Sequence, residues 1–136
     1  MTLRALAAML ALCAAAVQAA PQAEANFDLG RRYRNGAGVV RDSARAFALI
    51  DSAARDGLPA AMLIASSMLA AGEGTSRDVA LARCWLEAAA ELENPEAMQQ
   101  LAMHLREGAP GYERDEPRAA RLLDELAHAM QHRAQP

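Results

Sequence analysis

The sequence predicts an all-α fold of three stacked helical hairpins, six helices in all, and three observations carry that expectation. The first is self-similarity. The segments ANFDLG, AMLIAS and AMQQLA begin at Ala25, Ala61 and Ala97, 36 residues apart, and Gly36, Gly72 and Gly108 keep the same step, as do Pro59 and Pro95. The second is composition: 53% of the chain is hydrophobic but only 4% is aromatic. Alanine supplies about a quarter of it, which leaves few β-branched or aromatic side chains for a β-sandwich to bury. The third is length, since 136 residues suit one domain or three short units and do not comfortably fill two.

Taken in order, each unit reads as two antiparallel helices. The first helices are expected near 24–35, 60–71 and 96–107, each ending at a glycine suited to the left-handed residue just past a helix. After a short loop, Asp42, Asp78 and Asp115 stand where an N-cap must accept backbone N–H bonds, and the second helices follow near 43–56, 79–92 and 116–132. Asn94 before Pro95 is a further start signal, a capping side chain followed by a proline at the first helical position. In the third unit everything after Gly108 slips by one residue, and the insertion falls in the loop APGYER, where a stack of repeats tolerates it.

The expected packing follows from side-chain size. Gly30, Ser66 and Ala102 occupy one equivalent position and Ala46, Ala82 and Ala119 another, so helix axes can approach closely there. Leu29, Tyr33, Phe47, Ile50, Leu69, Trp85, Leu86, Leu101, Leu105, Leu122, Leu123 and Leu126 are expected to fill the space between. On the first helix of unit one the 25/29/30/33 set is the core set. No single hairpin buries its own apolar stripe, and stacking three makes one core.

Residues 1–19 read as a cleaved export signal: Arg4 gives the positive start, Ala5 to Val17 the apolar run, and Val17-Gln18-Ala19 the small-residue cleavage site. An uncleaved anchor is the alternative, but a run of about 13 residues falls short of the ~20 a spanning helix needs. A lipoprotein would carry a small residue before Cys13, where Leu12 stands, so Cys13 is expected to leave with the signal. The domain is then 20–136, with repeats at about 25–60, 61–96 and 97–133, in the periplasm or secreted and with no stable membrane insertion after cleavage. Cys84 alone cannot close an internal disulfide. It reads as a small packing residue on its helix, or else as the site of a mixed disulfide with a partner.

The phrase carried by Leu29, Gly30, Tyr33, Gly36, Gly38, Val39 and Asp42, with Ala46, the Ala53-Ala54 pair and Gly57, resembles the Sel1-like repeat. The second copy keeps Gly72, Gly74, Asp78, Ala82, Trp85, Ala89 and Ala90; the third lacks the Gly-x-Gly spacing and has Leu126-Ala127 for the alanine pair. The related tetratricopeptide repeat has a period of about 34 and lacks this interhelical Gly-x-Gly. The resemblance implies a right-handed superhelix of hairpins that binds protein and has no general catalytic residues. Exported bacterial members of the family resemble adaptors, regulators of sensor proteins, host-interaction factors and immunity proteins that neutralise toxins. The expected function is therefore a scaffold, adaptor or regulator for a periplasmic partner, with an immunity protein as the alternative and a β-lactamase-like hydrolase or metal-dependent enzyme as the alternative of another class. Some cysteine-rich members resemble β-lactam-binding proteins, but this chain lacks their paired cysteines.

The residues themselves point away from catalysis. All 14 basic residues counted with lysine are arginines, which removes P-loop, Schiff-base and Ser-x-x-Lys chemistry. Ser66 and Ser67 lie within a helix, without the strand-to-helix elbow of a nucleophilic serine. His128 and His132 share a helix face with Asp124 and could take a transition metal, or simply suit the helix dipole; the expectation is no metal and no cofactor. Glu87, Glu91 and Glu93 read as a wet face. A net charge of −3 with no basic face argues against nucleic acid. Arg31, Arg32, Arg34 and Arg41 are either a solvated face or a dock for an acidic partner.

The best candidate for binding is a stripe on the first helices: Asp28, Arg31, Arg32 and Asn35, then Ile64, Ser67, Met68 and Ala71, then Gln100, Met103, His104 and Glu107. Met68 and Met103 would form an adaptable apolar centre with Arg31 and Arg32 at one rim. The alternative is that methionine and isoleucine complete the core. The last helix presents Leu122, Leu126 and Met130 with no following hairpin, an edge expected to be covered by dimerisation or by the partner.

Overall fold

The computed structural model describes residues 21–134; the expected signal, with Cys13, lies outside the described residues. Six helices follow one another: α1 (21–35), α2 (Ser43–Arg55), α3 (Pro59–Ala71), α4 (Val79–Glu91), α5 (Pro95–Glu107) and α6 (Glu116–Arg133), and no strand occurs among the described residues. From α2 onward each helix packs on the next in chain order. The fold is the all-α stack of hairpins that the repeat spacing predicts.

The starts and stops have the local causes read from the sequence. Asp42, Asp78 and Asp115 each accept the backbone N–H three residues on at 3.0 Å, and Asn94 accepts that of Ala97 at 2.9 Å. These bonds satisfy donors that a helix start otherwise leaves unpaired. Pro59 and Pro95 open α3 and α5, and Gly36, Gly72 and Gly108 close α1, α3 and α5 in the left-handed region. Each loop then returns to the same place: Asp42, Asp78 and Asp115 donate their N–H to the carbonyls of Tyr33, Leu69 and Leu105. The inserted residue of the third unit is thus absorbed entirely within 109–114.

That loop lacks the Gly-x-Gly spacing, as read from the sequence, but keeps both glycines. The third unit does have its second loop glycine: Gly111, at φ 86°, takes the place of Gly38 (φ 74°) and Gly74 (φ 71°), displaced by the insertion. The reason a glycine must stand there is contact between units. A Cβ on Gly74 would run into the Ser43 carbonyl at the start of α2, and one on Gly111 would collide with Val79 at the start of α4. Gly30 serves the hairpin in the same way, since a Cβ there would lie 2.7 Å from Ile50 Cγ1 and 3.2 Å from the Ala46 oxygen. Ser66, at the equivalent place, donates its hydroxyl to the Ala82 carbonyl at 2.6 Å.

The core repeats with the sequence. Ala46, Ile50, Ala53 and Ala54 on α2 and Ala82, Leu86, Ala89 and Ala90 on α4 are buried. On α6 only Ala119 of the corresponding set is buried. Leu123, expected as filler, is 36% exposed, and Met130 is 59% exposed. Leu122 and Leu126 are half-buried, because no further hairpin among the described residues covers that side. The other end shows the converse. Ala25, placed in the expected core set, is exposed where Ala61 and Ala97 are fully buried, and Ala23 is buried instead. Leu29, Tyr33, Phe47 and Trp85 are half-buried. Cys84, read as a packing residue, is an exposed free thiol.

Candidate functional site

The central helix decides what the predicted stripe can be. α3 lies inside the stack, and Ala61, Met62, Leu63, Ala65, Ser66, Met68 and Leu69 are all buried. Its remaining face, with Ser67, Ala70 and Ala71, is exposed. Met68 is 0% exposed, so it belongs to the core and cannot be the centre of a binding surface. Ile64 is half-buried against the same core. Met103 is 49% exposed but faces elsewhere, lining a separate depression with Arg106, Glu107, Arg114 and Glu116. Arg31 and Arg32 are exposed on α1: Arg31 lies over the Phe27 ring at 5.7 Å, and Arg32 donates to the Ala37 carbonyl at 3.2 Å.

Four members of the stripe do converge. Ser67 and Ala71 from α3 and Gln100 and His104 from α5 line one groove of about 330 Å³ between the second and third units. Ser66 and Ala70 continue its wall, Arg77, Val79 and Ala82 close it at the start of α4, and Ala109, Pro110 and Tyr112 of the third loop form its far lip. The groove is built by three helices and two connecting loops, one of them carrying the insertion, which is why a reading confined to the first helices missed Arg77, Ala109, Pro110 and Tyr112. The insertion itself was the available signal.

Its wall is held neutral. The His104 and Tyr112 rings pack at 4.9 Å between centroids, and the Arg83 guanidinium lies 5.6 Å from the Tyr112 ring centroid. Burial lowers the His104 pKa against a weaker opposing pull from Glu107, and its Nδ1 is buried without a hydrogen-bond partner. Burial, helped by the Glu87 charge and opposed by Arg83, pushes the Tyr112 hydroxyl up to about 12. Both side chains therefore present uncharged rings near neutral pH, and Arg77 is the one charged lining residue.

The same junction one unit earlier is bridged by charge: a depression of about 570 Å³ there is lined by Arg34, Asn35, Arg41 and Glu73. Arg34 at the end of α1 reaches Glu73 in the loop after α3 through two well-aligned bonds, Nε to Oε1 at 3.0 Å and Nη2 to Oε2 at 2.9 Å, and Arg41 Nη2 lies 4.0 Å from Oε1. The Arg34 hydrogen bond lowers the Glu73 pKa, against the opposing effect of partial burial. Of Arg31, Arg32, Arg34 and Arg41, the last two thus have an acidic partner within the chain.

The remaining clusters offer less. A wider groove of about 590 Å³ runs from α4 to α6, lined by Glu87, Glu91, Arg118, His128 and His132 among others, and Glu87 is engaged by Arg83 at 3.0 Å and Arg118 at 3.4 Å. Glu87 is therefore a tie between α4 and α6 rather than part of a wet face. His128 and His132 approach to 3.0 Å between their Nε2 atoms. Asp124 does not join them: among the described residues no group of three or more His, Cys, Asp or Glu side chains is placed to hold a metal ion.

Comparison with known proteins gives a consistent picture. The family model described as the Sel1 repeat matches at residues 23–58, 59–94 and 95–129, two residues earlier than the units read from the sequence. A Sel1 repeat protein from Oxalobacter formigenes superposes with a TM-score of 0.73 at 27% identity, covering 78% of this chain and 43% of that one. The protective antigen c5321, present in uropathogenic Escherichia coli strains and displaying an SLR fold, superposes at 0.72 and 33% identity, covering 79% of this chain and 23% of that one. The chain thus spans less than half the length of either structure. No curated protein matches the sequence.

Proposed function

The chain belongs to the Sel1 repeat family, whose repeats generally mediate protein–protein interaction, and we propose that it is an exported scaffold, adaptor or regulator for one protein partner in the periplasm or outside the cell. The partner docks at the junction of the second and third units. The observation that carries this reading is the contrast between the two junctions, one bridged by the Arg34–Glu73 pair and lined by charged and polar side chains, the other a groove with largely apolar walls and one arginine. A concave, mostly apolar site with a few placed polar groups is the usual form of a binding pocket. It is too small to be a whole interface, which typically buries about 800 Å² per partner; it serves as the anchor pocket within a wider face. Export rests on residues 1–19. No described helix is long and apolar enough to cross a membrane.

The test is photocrosslinking in cells that make the full chain. A photoreactive side chain at Ser67, inside the groove, yields a discrete protein adduct in the exported fraction, while one at Val40, 89% exposed on the first loop, yields none. Equal labelling from both positions, or no adduct from Ser67, contradicts the docking site. Retention of the chain inside the cell contradicts export.

A further inference from the structure

The second junction carries information about what it can bind, because the first contains an arginine–carboxylate pair at the equivalent place. The residue after the helix-ending glycine donates its N–H to the carbonyl five residues back in every unit: Ala37 to Arg32 at 3.0 Å, Glu73 to Met68 at 2.8 Å and Ala109 to His104 at 3.1 Å. The backbone therefore places Ala109 where Glu73 stands. By the same 36-residue step, Ala70 takes the place of Arg34 and Arg77 that of Arg41. Two alanines thus replace the side chains that bridge the earlier junction, and both line the groove. Of the two arginines that face Glu73, the closely bonded Arg34 is lost and the more distant Arg41, 4.0 Å away, has its counterpart in Arg77. Arg77 makes no ion pair among the described residues; its Nε donates to the Ala70 carbonyl at 3.0 Å.

We infer that the partner supplies the missing group: an aspartate or glutamate side chain of the partner polypeptide enters the groove between α3 and the third loop and pairs with Arg77, as Glu73 pairs with Arg34 and Arg41 one unit earlier. The inference rests on the docking reading above and names its chemistry. Arg77 is the sole charged lining residue, so a basic side chain would meet like charge, whereas a carboxylate finds a guanidinium fork with spare donors. Ser67 and Gln100 add neutral polar groups, and the Tyr112 and His104 rings keep one side dry enough for the pair to outweigh its fully solvated equivalent.

The experiment uses two capped peptides, acetyl-Ala-Leu-Glu-Leu-Ala-amide and its Gln counterpart, titrated into 15N-labelled protein at low salt. The Glu peptide shifts the amides of Ala70, Ala71 and Ala109 saturably, and the Gln peptide binds about fivefold more weakly, the size expected of a partly exposed ion pair. Arg77→Gln abolishes the difference between the peptides without changing the thermal melt. Ala70→Arg with Ala109→Glu, which installs the pair of the earlier junction, abolishes the shifts. Equal binding of both peptides, a preference that survives Arg77→Gln, or no shift with either peptide overturns the inference. In those cases a surviving Ser67 crosslink leaves the docking groove standing and removes only its carboxylate; loss of the crosslink with peptide discrimination intact removes the protein partner instead.

Discussion

Gly74 shows how much one residue can owe to its neighbours above and below. Its positive φ alone costs an alanine about 1–2 kcal/mol, a cost that Gly38 shares. Gly74 adds an obstacle that Gly38 lacks, the Ser43 backbone pressed against its Cα, whereas the nearest atom to a Cβ on Gly38 is the flexible tip of Arg32 at 3.1 Å. Gly38→Ala should therefore destabilise by about 1–2 kcal/mol and Gly74→Ala by about 2–4 kcal/mol or more, since the stack must also part. Chemical denaturation of both variants measures the difference. His104 gives a pH-dependent counterpart. Its ordinary pKa is 6.5 and burial lowers it in the folded state, so the unfolded chain binds the proton more readily. Its contribution to stability is complete above the unfolded value and is lost as pH falls through 6.5 towards the lower folded value. Melts of the wild type and His104→Gln between about pH 7.5 and 5.5 should show a steeper decline in the wild type; parallel curves would mean that the ring is not shielded. Glu73 lies outside this window, because its lowered pKa removes stability only as pH falls below its ordinary 4.5.

At the level of the helix, equivalent positions are not equivalent in burial. Ile50, Leu86 and Leu123 follow one register, yet the first two are fully buried and the third is 36% exposed. Leu86→Ala should cost about 2–5 kcal/mol as a core cavity, and Leu123→Ala under about 1 kcal/mol as a surface change; similar losses at both would mean that α6 is covered. The same logic explains what the sequence did and did not reveal. Helix ends were legible because their causes are local: Asp42, Asp78, Asn94 and Asp115 cap the N–H groups three residues away, and glycine ends the first helices. The fate of Met68 was not legible from its own helix. Arg32, Met68 and His104 share one repeat position but are exposed, buried and half-buried in turn, and only the units stacked on either side decide which.

For the molecule as a whole, the repeat period made the stack readable, and the groove was half readable. Ser67, Ala71, Gln100 and His104 were found because they lie on the first helices. Arg77, Ala109 and Tyr112 lie in connecting segments, and their role depends on a comparison between junctions that periodicity alone does not make. That comparison is what sets the two junctions apart: one carries a bonded arginine–glutamate pair, the other two alanines and an arginine without an ion-pair partner among the described residues. The most direct measurement combines the Ser67 photocrosslink with the Ala70→Arg and Ala109→Glu plug. If the open junction is the docking site, the plugged protein keeps its helical melt and loses the adduct. An adduct that persists undiminished in a folded, plugged protein would contradict the account.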